Sequence, residues 1–203
     1  MRTYYIIGAI VIVLAAAGGG YYLWKNGSMP AETQQPAGPQ AVATSTYATS
    51  TFSAVYPVDF SVNDAYTYDQ FPKKPIYGVK FTIPATSATG TNLSGYDTGV
   101  SVEQLPRAKN CTADIYIPAN VTPQLLSDNG VEYSVASTSD AGAGNFYEEQ
   151  VYALSGSNPC TAVRYFIHST NIDNYPPGVV HAYDRAALMT AFDTIRRSVV
   201  LKQ

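Results

Sequence analysis

The apolar and polar positions divide the chain into three stretches. Tyr4 to Trp24 carries no charged residue. A helix of that length, rising about 1.5 Å per residue, spans the ~30 Å hydrocarbon layer of a bilayer. Arg2 and Lys25 bracket the run. Tyr4 and Tyr5 at one end and Tyr21, Tyr22 and Trp24 at the other match interfacial aromatic belts. Asn26 to Ser50 has no apolar period and is rich in Pro, Gly, Gln, Thr, Ser and Ala. Such a segment buries too little apolar surface to offset its chain entropy. From Phe52 aromatic and β-branched residues recur regularly. The expected organisation is a transmembrane signal anchor at 1–25, a flexible linker at 26–51 and one folded domain at 52–203.

Within the domain the period is mostly two. In Gly78 to Pro84, apolar Val79, Phe81 and Ile83 alternate with Lys80 and Thr82, which predicts a strand ended by proline. Thr98 to Leu105 alternates through Val100 and Val102. Ala113 to Ile117, Val131 to Thr138, Phe146 to Leu154 and Cys160 to Ser169 read as further strands of an antiparallel meander. Thr122-Pro123 predicts a short helical turn, with threonine as cap and proline in the first position, ended by Asp128-Asn129-Gly130. Asp184 to Val200 is the convincing helix, because Leu188, Phe192, Ile195 and Val199 form one apolar stripe. Strands followed by a late helix predict an α+β domain, an antiparallel sheet covered by a C-terminal helix.

Composition adds location more than chemistry. Of 203 residues, 46% are hydrophobic but only 13% are charged, and 17 are tyrosine. The net charge of −3 comes with no basic cluster in the sequence, which argues against nucleic-acid binding. The small positive bias at the N-terminus places that end in the cytoplasm and the domain outside it. The alternative is secretion after signal cleavage near Ala15-Ala16-Ala17, but that would leave Tyr21 to Trp24 at the exposed start of the mature chain.

GVKFTIP, TNLSGYDTGVSVEQLP, NPCTAVRYFIHSTNIDNYPPG and DRAALMTAFDTIRRSVV resemble a domain of uncharacterised small membrane-anchored bacterial proteins. The order of elements is also similar to PsbP/Mog1-type folds, which implies an antiparallel sheet covered by helices. Neither resemblance implies an activity, because one fold hosts many functions.

The chain has two cysteines, Cys111 and Cys160. In an exported domain an even count suggests a disulfide, here closing a loop of about 50 residues. No Cys or His has a partner at metal-ligand spacing, and nothing in the sequence calls for a cofactor. His168 lies on a strand that sends Val163, Tyr165 and Ile167 to one face and Arg164, Phe166 and His168 to the other. Pairing Leu154 with Cys160 would place Glu148 diagonal to Arg164 and His168. Glu148, Arg164 and His168 are therefore candidate ligand-binding residues for a small anion or polar ligand, weighed against an ordinary surface ion-pair cluster. His181 joins them from the Pro- and Asn-rich segment 171–183, which suits a binding loop or a packing strap. Gly-x-Ser-x-Gly and phosphate-loop motifs are absent.

The leading expectation is a membrane-tethered, extracytoplasmic binding or assembly module, engaging an envelope protein or a polar ligand. One alternative is an extracytoplasmic hydrolase working from the Glu148, Arg164 and His168 face. Another is a structural subunit of a membrane complex, packing through Gly18, Gly19 and Gly20.

Overall fold

The computed structural model describes residues 42–202. The expected anchor, the linker up to residue 41 and Gly18–Gly20 lie outside them. Among the described residues, no helix is long and apolar enough to cross a membrane.

Among the described residues, ten strands build two antiparallel sheets. The small sheet holds β1 (Thr44–Ala48), β2 (Phe52–Pro57) and β10 (Val200–Leu201), in the order β1-β2-β10. The large sheet holds β3 (Ser61–Tyr68), β4 (Ile76–Thr82), β5 (Gly99–Leu105), β6 (Gln124–Asp128), β7 (Val131–Gly142), β8 (Asn145–Leu154) and β9 (Cys160–Thr170). Its order, β3-β4-β5-β9-β8-β7-β6, joins two meanders where β5 meets β9. Between them the chain leaves the sheet through residues 106–121. The helices are a single turn, α1 (Ala85–Ala88), and α2 (Arg185–Arg197). Antiparallel sheets and a C-terminal helix make this a β-rich α+β domain.

Helix α2 starts where Asp184 accepts a hydrogen bond from the Ala187 amide at 2.9 Å, an N-cap that satisfies one orphan donor. It buries Leu188, Phe192 and Ile195, and Val199 just beyond its end completes the stripe. The main core forms where that stripe meets Val79, Phe81, Val100, Val102, Val163, Tyr165 and Ile167. The small sheet adds Phe52 and Ala54 to the same core. A second core lies on the opposite face of the large sheet. There Ile76, Val151, Ala153 and Ala162 are covered by the 106–121 excursion through Ala113, Tyr116 and Ile117.

Four local expectations are corrected. Strand β1 pairs residue by residue with β2, from Thr44 opposite Pro57 to Ala48 opposite Ser53, so residues 44–48, expected in the linker, belong to the folded domain. Thr44–Ala48 looked like linker because an edge strand with exposed Thr and Ser shows no apolar period. Residues 113–117 are not a strand: Ala113–Tyr116 is a 3-10 turn, whose i,i+3 spacing puts Ala113 and Tyr116 together in the second core. Gln124–Asp128 is a strand and not a helical turn. Asn129 and Gly130, at φ 51° and 78°, form a two-residue turn into β7. Positive φ at both central positions suits the twist of a hairpin, and Asn-Gly is its commonest sequence. Finally, α2 stops at Arg197. The Ser198 hydroxyl accepts from the Val55 amide at 2.8 Å and donates to its carbonyl at 3.0 Å, turning Val200 into β10.

Gly99 and Gly78 let the central strands approach. A Cβ at Gly99 would overlap the Phe81 carbonyl oxygen, and one at Gly78 the Val102 carbonyl oxygen. Both obstacles are backbone in paired strands and cannot rotate away. Gly99→Ala is therefore expected to lower stability by ~1–3 kcal/mol, read as a shifted urea midpoint with unchanged slope.

Candidate ligand site

The excursion that covers the second core protects only half of that sheet face. The other half is open. It forms a cavity of about 460 Å³ lined by Tyr66, Tyr68, Lys80, Asp97, Tyr147 and Phe166, among others. Strand alternation explains the lining. Tyr66 sits opposite Gly78, Lys80 opposite Ser101, Glu149 opposite Phe166 and Tyr147 opposite His168, and cross-strand partners share a face.

Arg164 forms the floor between open and covered halves. It is 1% exposed, and Glu103 beside it is 0% exposed. Its Nε and Nη2 donate to the two Glu103 oxygens at 2.8 Å each, and Nη2 also donates to the Tyr116 carbonyl at 2.8 Å. Nη1 donates to Glu149. The Tyr68 ring lies 3.6 Å from the guanidinium carbon, and its hydroxyl donates to Glu149 at 3.1 Å. Burial opposes the charge on Arg164, but the flanking carboxylates outweigh that cost and raise its pKa above the ordinary value. Its donors are committed inside the protein, so Arg164 is a structural post and not a ligand contact.

Lys80 is different. Its ammonium lies 5.5 Å from the Tyr66 ring centroid and 5.0 Å from that of Phe166, an aromatic sandwich of the cation–π kind. Among the described residues it forms no ion pair within 4 Å, unlike Arg164 and Arg196. Burial lowers its pKa, with Asp97, Glu103 and Glu149 only partly offsetting that effect. Lys80 thus holds a charge at a cost to the fold, beside rings and carboxylates that face the cavity.

His168 borders the site. Nδ1 lies 2.9 Å from both Asp97 oxygens, Nε2 lies 3.0 Å from Asn145 Oδ1, and the ring packs against Tyr147 at a 31° tilt, centroids 4.6 Å apart. Ser94 donates to Asp97 at 2.7 Å, which gathers Ser, His and Asp in one place. The wiring is not that of a hydrolytic triad. There the serine donates to the free imidazole nitrogen; here Ser94 bonds the carboxylate and Asn145 occupies Nε2.

The expected Glu148, Arg164 and His168 cluster does not form as drawn. The β8–β9 register pairs Ala153 with Ala162 and Val151 with Arg164, one residue away from the Leu154–Cys160 alignment. A slip of one exchanges the faces. Glu149 therefore joins Arg164, while Glu148 faces α2, where Arg185 donates to it at 2.8 Å and Tyr183 at 3.4 Å. The turn fixes that register: the Ser157 hydroxyl donates to the Leu154 carbonyl at 2.8 Å and accepts from the Thr161 amide at 2.9 Å. His181 lies on the exposed strap, its backbone bonded to Gly90 and Asn92 at 2.9 and 3.0 Å. It contributes packing there and does not line the cavity.

No family model matches the chain, and no curated protein does. The resemblance to small membrane-anchored bacterial proteins therefore remains an expectation. Among solved structures the chain is similar to cyanobacterial PsbP (CyanoP) from Synechocystis sp. PCC 6803, a solution structure. The identity is 14%, the TM-score 0.42, and the match covers 86% of this chain and 100% of the other. No residue role is carried over from it.

The sequence did not mark Lys80, Tyr66, Asp97 or Tyr147 as site residues; Phe166 it placed on the face of Arg164 and His168, and Lys80 left a trace as a lone charge inside an alternating strand. Cys111 and Cys160 do form the expected disulfide, with Cα atoms 5.1 Å apart. It fastens the 106–121 excursion to the start of β9.

Proposed function

We propose that this protein is a membrane-tethered, extracytoplasmic binding module whose open sheet face takes a small, neutral, polyhydroxylated ligand of the saccharide class. The observation that carries this reading is the half-open face itself, with aromatic rings interleaved with carboxylates and one ammonium free of ion pairs. Tyr66, Tyr147 and Phe166 offer faces for the apolar C–H side of a sugar ring. Lys80 donates to hydroxyl oxygens, and Asp97 and Asp140, the latter also in the cavity lining, accept from hydroxyl protons. A cavity of this size, with an aromatic lining and a few placed polar groups, has the anatomy of a small-molecule site. The carboxylates disfavour an anionic ligand by like-charge repulsion.

Tethering rests on the uncharged run Tyr4 to Trp24 and its aromatic ends, and export on the disulfide, which persists in oxidising compartments. Two tests apply. The full chain should remain in the membrane pellet after alkaline extraction, and protease added outside the cell should remove its domain; an alkali-soluble chain contradicts the anchor. Calorimetric titration of the full chain, in an uncharged detergent free of sugar groups, with glucose, galactose, N-acetylglucosamine and its β-1,4 dimer should give saturable heat for at least one. No heat with any of them contradicts the ligand class.

Lys80→Met separates function from stability. Removing a charge whose pKa burial has lowered should raise the melting temperature while abolishing the titration heat. The pH dependence follows from the sign of the shift. Between the lowered folded value and the ordinary 10.5, the unfolded chain binds more protons at Lys80, so wild-type stability gains from this group as pH rises. The variant should lack that gain. A variant that is less stable and still binds would contradict the role given to Lys80.

A further inference from the structure

A second surface of the domain is not explained by the open-face site. Among the described residues, Arg164, Arg185, Arg196 and Arg197 are ion-paired. Lys80 lies in the aromatic sandwich, and Lys202 donates to the Thr49 carbonyl at 2.6 Å. The remaining cations, Lys73, Lys74, Arg107 and Lys109, are all exposed and have no acidic partner within 4 Å. The chain is acidic overall, yet these four gather at one end of the domain. Lys74, Arg107 and Lys109 line a groove of about 1030 Å³ where the disulfide-fastened excursion crosses the ends of β4 and β5.

The groove is more than a charged surface. Its walls include Leu105, Ile115 and Tyr77, the last 65% exposed, and a single acid, Asp114. One oxygen of that acid, Oδ1, is buried without a hydrogen-bond partner. The lining cations come from two separate segments, Lys74 from one and Arg107 and Lys109 from the other, and share the groove with apolar side chains. We propose that this groove docks an acidic polypeptide segment that carries apolar side chains, supplied by another protein. Charge complementarity selects the acidic segment and steers its approach. The recessed apolar floor selects a peptide over a flat anionic membrane, because side chains reach the trough and a headgroup plane does not. The disulfide keeps the trough open by pinning Cys111 to the sheet.

The test uses the full chain in nanodiscs of uncharged lipid, with fluorescence anisotropy of two labelled probes. One is a nonapeptide of Asp and Glu carrying one Leu and one Phe; the other has Asp and Glu alone. The first should saturate in the micromolar range, and the second should bind at least ~5-fold more weakly. Binding of the first should weaken with added salt, as partly exposed ion pairs do. The Lys74→Glu/Arg107→Glu/Lys109→Glu variant should lose at least ~10-fold while keeping its melting temperature, since all three residues are exposed. Equal affinity for the two peptides, no saturation below about 1 mM, or an unchanged variant would overturn the proposal. So would a result in which discs of anionic lipid protect amides 105–115 from exchange and neither peptide binds, which assigns the groove to a lipid surface. Saccharide titration of the same variant should be unaffected, so failure of this proposal and failure of the open-face reading are distinguishable.

Discussion

Arg164→Met is expected to lower the unfolding free energy by about 3–5 kcal/mol. The side-chain volume is nearly conserved, so the loss is not one of packing. It arises because Glu103, 0% exposed, keeps a buried carboxylate whose main cation is gone. Ser101, whose hydroxyl donates to Glu103 at 2.7 Å, does not replace a bidentate guanidinium. The Tyr116 carbonyl also loses its donor, which loosens the 106–121 excursion from the sheet. The companion variant Arg164→Met/Glu103→Leu should recover most of the loss, because removing both charges also removes the desolvation penalty. Urea titration followed by near-ultraviolet circular dichroism, to which the tyrosines contribute strongly, checks both. A single variant as stable as wild type would mean that the pair is not the buried post described here. A double variant no better than the single would assign the loss to the stacking of the Arg164 guanidinium on the Tyr68 ring instead.

Removing the Cys111–Cys160 bridge is the second large effect. The cysteines are 49 residues apart in sequence, and the chain-entropy relation gives about 4 kcal/mol for closing such a loop. That loop contains β6, β7 and β8, so the crosslink spans most of the second meander. Cys111→Ser/Cys160→Ser is expected to lower stability by that amount. The change should be uneven: the 106–121 excursion, whose cover of the second core depends on the fastening, should exchange its amides fastest, while α2 and β9 stay protected under native conditions. Hydrogen exchange with and without reductant reads both. Unchanged protection across residues 106–121 would show that Tyr116, through its hydroxyl bond to the Cys160 carbonyl at 2.8 Å, holds the excursion without the bridge.

These two effects show how unevenly the sequence revealed the structure. The α2 stripe was legible because a helix packed on one sheet must repeat its apolar positions at 3.6 residues. The strands around Val79, Val100 and Val163 were legible because one of their faces is buried. The disulfide followed from a pair of cysteines in a chain with an exported character. What was not legible depends on long-range choices. The β8–β9 register is fixed by one serine hydroxyl across a turn, and a single residue there decides whether Glu148 or Glu149 meets Arg164. The 3-10 turn at Ala113–Tyr116 has the apolar content of a strand and takes its shape from packing on the second core. Buried charge was hidden altogether: Glu103 and Arg164 sit at polar positions of alternating strands, and the pattern reads such positions as wet. They are dry because the 106–121 excursion folds over them, and nothing local in β5 or β9 announces that cover. The open site was missed for the converse reason. Its residues come from several strands and lie on a face that the excursion fails to reach.

If the uncovered face is a ligand site, a ligand must perturb its residues and spare the helix side. The most direct measurement is a map of amide chemical-shift changes in the isotopically labelled full chain as the saccharide that gives titration heat is added. The shifts are expected to concentrate at Tyr66 to Gln70, Lys80, Tyr147 and Phe166, and to vanish in Lys80→Met. Shifts concentrated instead at Glu148, Arg185 and Met189, which line the smaller cleft of about 290 Å³ on the helix side, would contradict it.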